Sequence, residues 1–347
     1  MDDEARIHSW NAWLQYVAGW RQAPYLPDMS KHDQQEILLA FGARVRTGFF
    51  GKKRQVGAQS VEKAMRHVAQ TLVLAGFTDP RRTSGARELD LPFSRMTKTM
   101  RDSDPAPRPQ LALPVVCITA AAAVRFHNGA TRKQQAVADL ITVAFFFLLR
   151  VGEYTMPIGN RRTRTVQFRC QDVRLWRFGQ LLDHTAPLEH LLQADGVTLH
   201  IDNQKNGQRG QTVHHSAVNA WFCPAKACAR RVHEIRSAGL PPDTPLSFLG
   251  NNTHVVAADI LNAVRMAARQ TNLPANGYDL TRIGAHSLRA SGAMALKLNG
   301  YDKETIMKIG RWSSDTFMTY IHSQIAALTI GVAAKMTRQV HFQNVGS

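Results

Sequence analysis

Four prolines fall within the fourteen residues 101–114, near the end of the first third of this 347-residue chain. Each proline removes a backbone hydrogen-bond donor and disfavours helix in the residue before it. Such a segment is typical of a connection between two folded parts. We therefore predict an N-terminal domain over 1–100, a linker over 101–115 and a C-terminal domain over 116–347.

The N-terminal part has helical periodicity. Apolar residues recur at three- and four-residue spacings in 5–20, in the run that Ser30 begins, and in 59–76, and residues 93–100 offer a fourth run. These runs predict a small all-helical domain.

The C-terminal part mixes helical and strand-like patterns. Residues 116–128 and 132–151 predict two buried helices. The strand-like segments are 165–176, 196–202 and 211–217, and the polar turn 203–210 joins the last two into a hairpin. Helical segments follow at 224–238, 255–271, 286–299, 303–310, 312–321 and 323–336. The predicted fold class is α+β and mostly helical, with an all-α N-terminal domain and a mixed domain that holds a small antiparallel β-sheet.

The chain is strongly basic, with 43 Lys and Arg against 26 Asp and Glu and a formal net charge of +17. The excess is +5 over residues 1–115 and +12 over residues 116–347, so it does not lie in a tail. This distribution predicts a polyanionic partner, with the C-terminal part as the main phosphate binder.

The sequence also predicts an intracellular protein. Its four cysteines are too few and too unevenly spaced for the disulfide framework of a secreted protein. The N-terminus is acidic and lacks the apolar run of a signal peptide. The longest apolar stretches, 111–124 and 140–149, are shorter than the ~20 residues that a membrane-spanning helix needs.

The strongest chemical signal lies in residues 286–322. His286 and Arg289, three apart on one predicted helix face, are followed by Trp312 and Tyr320. Arginine matches two phosphate oxygens, histidine exchanges protons near neutral pH, and cations can turn tyrosine into a nucleophile. Alone, the His-x-x-Arg pair is more often a surface feature, and a tyrosine on an amphipathic helix more often belongs to the core. The combination predicts a phosphate-handling site.

With residues further upstream, these elements resemble the tyrosine recombinases, the family of phage integrases and site-specific DNA recombinases. The matching elements, in order, are L-L-R-x-x-E (Arg150, Glu153), a lysine at a β-hairpin (Lys205), H-x-x-R (His286, Arg289), and G-x9-Y followed by x-H (Gly310, Tyr320, His322). The resemblance covers essentially the whole chain and is closest to the Crypton and DIRS-like recombinases of eukaryotic mobile elements. It implies that the N-terminal domain is a core-binding domain and the C-terminal domain is catalytic.

The resemblance implies DNA strand transfer without a metal, a cofactor or ATP. Tyr320 would attack a backbone phosphate, form a 3′-phosphotyrosyl link and free a 5′-hydroxyl, and the reverse attack would reseal the strand. Arg150 and Arg289 would hold the non-bridging oxygens. Lys205 would protonate the leaving oxygen. His286 would hydrogen-bond the phosphate or assist the tyrosine proton.

Simpler interpretations stay open for several of these residues. Arg150 could end a buried helix, where a cation stabilises the helix dipole. Glu153, which the resemblance assigns to orienting a cation, could be a solvent-facing residue without a partner. Lys205 could be a solvated loop lysine, with Lys53 and Arg209 as weaker candidates for its role.

One position departs from the family pattern. The phosphate-contacting His or Trp of the family directly follows the glycine, whereas here Gly310 is followed by Arg311 and then Trp312. We predict that Trp312 contacts the phosphate and that Arg311 reaches the DNA backbone or an acidic neighbour. Which of the two fills the family's role stays open.

Two further groups carry weaker signals. The candidate DNA contacts of the N-terminal domain are Lys52, Lys53 and Arg54. They could bind DNA phosphate, form a nuclear-import patch, or be a solvated charge run. A second group, His214, His215, Cys223 and Cys228, does not match a compact zinc site, so buried cysteines and no metal are predicted.

The sequence thus predicts a DNA strand-exchange enzyme that binds double-stranded DNA as a homodimer on one site and a homotetramer in the synaptic complex. It would act at DNA, in the nucleus if the host is eukaryotic. The alternatives are a type IB topoisomerase-like enzyme and a non-catalytic, transposon-derived DNA-binding protein. The apolar segment 325–336 is predicted to dock on a neighbouring protomer.

Overall fold

The computed structural model of the chain describes residues 3–51, 55–83, 86–106, 108, 110–158, 165–201, 210–314 and 317–318. The chain divides into two compact units, residues 1–107 and 108–347. The division falls inside the proline-rich segment.

Four helices build the first unit. They are α1 (Asp3–Gly19), α2 (Lys31–Arg46), α3 (Ala58–Leu74) and α4 (Leu91–Asp102). Helix α2 begins at the predicted position because the Ser30 hydroxyl accepts a hydrogen bond from the Asp33 N–H at 3.2 Å. The apolar faces meet in one core, where the rings of Trp13 and Phe41 lie edge to face with centroids 5.3 Å apart.

The predicted linker, 101–115, is ordered at both ends. Asp104 pairs with Arg46 and accepts the Ala58 N–H at 2.8 Å, which fastens it to the first unit. At the other end, the Leu113 N–H donates to the hydroxyl of Ser291 at 2.7 Å inside the second unit. Contacts with the folded part on either side therefore hold both ends of the segment, through the Asp104 side chain at one end and the Leu113 backbone at the other.

The second unit combines helices with a small sheet. Its helices are α5 (Val115–Ala123), α6 (Arg132–Phe146), α7 (Val151–Tyr154), α8 (Leu188–Leu191), α9 (Pro224–Arg236), α10 (Ala257–Gln270), α11 (Ser287–Leu298) and α12 (Lys303–Gly310). Its strands are β1 (Val173–Arg177), β2 (Gln180–Leu181), β3 (Gly196–Ile201), β4 (Gln211–Ser216), β5 (Phe248–Gly250) and β6 (Thr253–His254). The predicted fold class, α+β and mostly helical, is confirmed. None of the helices within the described ranges is long and apolar enough to cross a membrane.

The antiparallel sheet has the strand order β2-β1-β3-β4, and β5 and β6 form a separate pair. Strands β3 and β4 form the predicted hairpin, with Gly196 opposite Ser216 and Ile201 opposite Gln211. The turn that joins them lies at residues 202–209, outside the described residues. Strand β3 is buried along nearly its whole length, which places it in the main core of the unit.

The predicted strand over 165–176 was wrong over its first eight residues. Residues Cys170–Asp172 form a short 3-10 turn, and only Val173–Arg177 is a strand. The side chain of Asp172 causes the difference, because it accepts the Arg169 N–H at 2.8 Å and so closes a turn before the sheet begins.

Helix α6 ends five residues before the predicted boundary. Leu148 adopts a left-handed conformation, with φ of 50°, and the Leu149 N–H donates to the Ala144 carbonyl at 3.0 Å. This is the hydrogen bond of a Schellman helix end, which glycine usually makes. The left-handed backbone costs leucine ~1–2 kcal/mol, which the complete burial of its side chain offsets.

Helix α11 approaches α6 closely at a glycine. A Cβ at Gly292 would meet the carbonyl oxygen of Phe145 and the side chain of Leu148. The contact requires a residue without a side chain. It brings the middle of α11 against the end of α6.

Candidate active site

Arg150 and Glu153 form the first part of the site, where α7 begins. The Arg150 N–H donates to Glu153 Oε2 at 2.8 Å, and Arg150 Nη1 donates to Glu153 Oε1 at 3.0 Å. The Arg150 side chain keeps 19% of its surface exposed, against 4% for Glu153. The buried carboxylate thus binds one side of the guanidinium and leaves part of it exposed to solvent.

This placement corrects one interpretation of Arg150. It is not the last residue of a buried helix, because α6 ends at Phe146 and the left-handed Leu148 separates the two. Arg150 instead precedes the first turn of α7. A cation at this end gains nothing from the helix dipole, so the contact with Glu153 is what holds it.

Arg311 is a second partner of Glu153. It follows α12 in a left-handed conformation, with φ of 56° and ψ of 45°, and the Trp312 N–H closes the helix end on the Met307 carbonyl at 3.0 Å. Its Nη2 donates to Glu153 Oε2 at 2.7 Å. Glu153 is therefore not a solvent-facing residue without a partner.

Burial governs the charge of Arg311. The residue is 3% exposed, and burial lowers the pKa of its guanidinium from the ordinary value, while the nearby charge of Glu153 raises it again. Its Nε and Nη1 have no hydrogen-bond partner among the described residues. The ion pair with Glu153 is thus the main polar contact that keeps this buried cation charged.

Arg289 forms the third part of the site, in the first turn of α11. It is 2% exposed, its Nη2 donates to the Gly310 carbonyl, and its guanidinium carbon lies 4.3 Å from the Trp312 ring centroid. The Trp312 ring fills the space that a side chain at Gly310 would need, and it packs against Phe317 with centroids 5.3 Å apart. Gly310 and Trp312 together fix the position of this arginine.

His286 lies at the position just before α11 and is exposed. His286 and Arg289 therefore do not share a helix face as predicted, because only Arg289 lies within the helix. The His286 N–H donates to Oε1 of Gln110 at 2.7 Å. Nothing in the sequence of the proline-rich segment pointed to this contact of Gln110.

The three arginines and Glu153 form one continuous chain of contacts. It runs from Arg150 through Glu153 to Arg311, and from the adjacent Trp312 to Arg289. Three guanidinium groups against one carboxylate leave two positive charges. Guanidinium groups are donors that match phosphate oxygens, so this cluster has the chemistry of an anion-binding site.

Several predicted residues lie outside the described residues. These are Lys52, Lys53, Arg54, Lys205, Arg209, Tyr320, His322 and the segment 325–336. Two neighbouring segments nevertheless reach the site. His200 and Ile201, just before the hairpin turn, line a cavity of about 110 Å³ with Glu153, and Phe317 contacts Trp312. The roles of Lys205 and Tyr320 stay predictions.

The candidate zinc ligands do not come together. Cys223 and Cys228 are buried free thiols, and burial raises the pKa of Cys228. His214 contacts the Thr198 hydroxyl at 2.9 Å, while His215 packs on Phe147. Among the described residues, no three His, Cys, Asp or Glu side chains are grouped as a metal site would require.

The fold can be compared with known proteins. No family model and no curated protein matches the chain. Among solved structures, the XerH site-specific recombinase bound to a palindromic difH substrate is 14% identical, covers 91% of this chain and 75% of its own, and superposes with a TM-score of 0.51. The Tn1549 transposon integrase in complex with transposon right end DNA is 14% identical over 87% of this chain and 84% of its own (TM-score 0.47). XerA recombinase is 13% identical over 95% and 99% (TM-score 0.39).

The similarity to XerH defines the fold. The chain has the fold of the tyrosine recombinases, the family that its motifs resemble. The finer resemblance to Crypton and DIRS-like recombinases stays a prediction.

Proposed function

We propose that this protein is a tyrosine recombinase that cuts and rejoins duplex DNA through a 3′-phosphotyrosyl intermediate. The observation that carries the proposal is the contact chain of Arg150, Glu153, Arg311 and Arg289. It joins residues from α7, α11 and the end of α12 into one cationic cluster, on a fold shared with a DNA-bound recombinase. The target of such a cluster is a phosphodiester.

In the proposed cleavage, the Tyr320 oxygen forms a bond to the scissile phosphorus, and the bond from phosphorus to the 5′-oxygen breaks. The tyrosine proton passes to a base for which His286 is the candidate, and Lys205 gives a proton to the leaving oxygen. Arg150 and Arg289 stabilise the charge that develops on the non-bridging oxygens. Resealing is the reverse reaction, with the 5′-hydroxyl of a partner strand as the nucleophile.

The proposed assembly follows from strand exchange. Two protomers bind one duplex site as a homodimer, and two such sites form a homotetramer. The segment 325–336 docks on the neighbouring protomer in this proposal. Lys52, Lys53 and Arg54 contact the phosphates of the bound DNA in this proposal. The number of such contacts can be measured from a plot of the logarithm of the binding constant against the logarithm of the salt concentration, whose slope has a magnitude of ~0.9 per neutralised phosphate.

The decisive experiment traps the covalent intermediate. Duplexes from the DNA that flanks the gene, each nicked near a candidate cleavage position, are incubated with the protein and resolved on a denaturing gel. We expect a protein–DNA adduct that Tyr320→Phe abolishes without loss of DNA affinity, because one hydroxyl adds little to binding by many phosphate contacts. Tyr301→Phe is the matched control, since Tyr301 is an exposed tyrosine of the same unit. An adduct with the Tyr320→Phe variant refutes the assignment.

The role of Lys205 is tested with a substrate that has sulfur at the 5′-bridging position. Such a leaving group needs no proton, so it should rescue Lys205→Ala and leave Arg289→Ala inactive. Rescue of both variants, or of neither, contradicts the general-acid role. Rescue of Lys53→Ala or Arg209→Ala alone would move the role to that residue.

The two other classes of protein predict different products. A topoisomerase-like enzyme relaxes a supercoiled plasmid and yields no recombinant between two sites. A non-catalytic DNA-binding protein shifts the duplex on a native gel and yields no adduct. Recombinant products from two marked sites are therefore the result that supports the recombinase.

A further inference from the structure

A concave groove of about 590 Å³ lies between α1 and α2 on the first unit. Three aromatic residues and one arginine line it, Tyr16, Trp20, Phe49 and Arg44. The other lining residues are small or neutral and include Gly19 and Ala43, and none of the lining residues is acidic. We call this the aromatic groove.

Two of its rings are open to solvent. Trp20 is 60% exposed and Phe49 is 54% exposed, although rings of this size normally lose most of their surface on folding. Tyr16 lies beside Trp20, with ring centroids 6.2 Å apart. Exposed apolar surface gathered in a groove is typical of a binding site.

The charge around the groove defines what can fill it. The Arg44 guanidinium lies 3.8 Å from the Phe49 ring centroid, so a cation borders the aromatic surface. A second copy of a chain with net charge +17 would meet like charges here. The occupant must offer flat apolar faces together with negative charge.

We propose that the aromatic groove binds unpaired bases of single-stranded or locally opened DNA. The bases stack on Trp20 and Phe49, and the adjoining phosphates meet Arg44. Nucleic acid supplies flat faces and negative charge in alternation, and aromatic rings beside cations are the usual platform for unpaired bases. In an intact duplex the base faces are covered by neighbouring bases, so the rings select against paired DNA.

This binding does not depend on the proposed strand transfer by the second unit. The groove can therefore bind unpaired bases in a protein that does not cleave DNA, and it can lack this binding in an active recombinase. The two proposals are tested by different measurements.

The experiment compares two fluorescein-labelled oligonucleotides of equal length with the full-length protein. One is oligothymidylate, and the other has stable abasic residues in place of its thymidines and keeps every phosphate. Fluorescence anisotropy at raised ionic strength, which weakens phosphate contacts, gives the two affinities. We expect the oligothymidylate to bind about 5- to 150-fold more tightly, the equivalent of ~1–3 kcal/mol for one stacked base.

Variants assign this difference to the groove. Trp20→Ala with Phe49→Ala should remove the preference for bases and leave the affinity for the abasic strand unchanged, and Trp20→Phe with Phe49→Tyr should keep the preference. Phe178→Ala is the control, because Phe178 is 84% exposed and lies 5.4 Å from the guanidinium of Arg177.

Four results would overturn the proposal. Equal affinity of the unmodified protein for the two oligonucleotides would do so without any variant. So would a preference for bases that survives the double alanine substitution or that is lost in Phe178→Ala. A double alanine variant that alters the mass of the DNA-free protein in sedimentation, with the preference for bases unchanged, would show that the groove is a protein interface instead.

Discussion

The buried ion pair of Arg311 and Glu153 makes a quantitative prediction about stability. Arg311→Ala leaves the carboxylate without its 2.7 Å partner at a position where Glu153 is 3% exposed. Glu153 keeps its contact with Arg150, so the loss is smaller than for a buried charge with no partner and amounts to ~1–3 kcal/mol for the missing charged contact. Alanine does not relieve the backbone strain at this position, because it must still adopt the left-handed conformation with φ of 56°.

Arg311→Gly separates the two contributions. Glycine loses the same ion pair but adopts the left-handed conformation without strain, so the free energy of unfolding should fall by ~1–2 kcal/mol less than in Arg311→Ala. The double variant Arg311→Met with Glu153→Gln removes both charges and should lose less than the sum of its single variants.

Urea unfolding followed by circular dichroism measures these differences. Lys133→Ala is the matched control in the same unit, because Lys133 pairs with Asp259 at 2.6 Å and its side chain is 52% exposed. An exposed pair of this kind contributes ~0–1 kcal/mol. The reasoning is refuted if Arg311→Ala loses no more than Lys133→Ala. It is also refuted if the glycine variant is no more stable than the alanine variant.

Three other predictions follow from the packing. Trp312→Ala should slow adduct formation on the denaturing gel while Trp312→Phe keeps most of it, because Arg289 rests on the ring; an effect on the melting temperature alone would make Trp312 only a core residue. Gly292→Ala should lower the free energy of unfolding in urea by ~1–3 kcal/mol through the clash with Phe145, whereas Gly19→Ala, with open space around it, should not. Burial lowers the pKa of His215 below its ordinary 6.5, so the unfolded state takes up the proton and stability falls as pH drops below about 6.5; His215→Gln should make the pH dependence of urea unfolding shallower, and an unchanged slope would contradict this.

Much of the fold could be predicted from local patterns. The helices of the first unit and the β3–β4 hairpin follow from periodicity and from caps such as Ser30. The end of α6 could not be predicted, because Leu148 takes a conformation that its residue type disfavours and that tertiary packing imposes. The short strands β5 and β6 went unpredicted for a related reason, since pairs this short depend on their surroundings more than on propensity.

The site was predictable to a similar extent. The motifs identified Arg150, Glu153 and Arg289 as candidates, and their contacts join them in the structure. The sequence suggested an acidic neighbour for Arg311 without naming it. Glu153 lies 158 positions earlier in the chain, and no local pattern connects residues so far apart. The pair exists because two helix ends, each closed by a left-handed residue, meet in the fold.

The contact of Trp312 with Gly310 has a consequence for how such a protein changes over generations. The indole ring occupies the volume that any side chain at Gly310 would take. A substitution at the glycine is therefore tolerated only after the tryptophan has become smaller, and a chain that has lost the ring no longer needs the glycine. The two positions should therefore covary among descendants of this sequence, with the change at Trp312 preceding the change at Gly310.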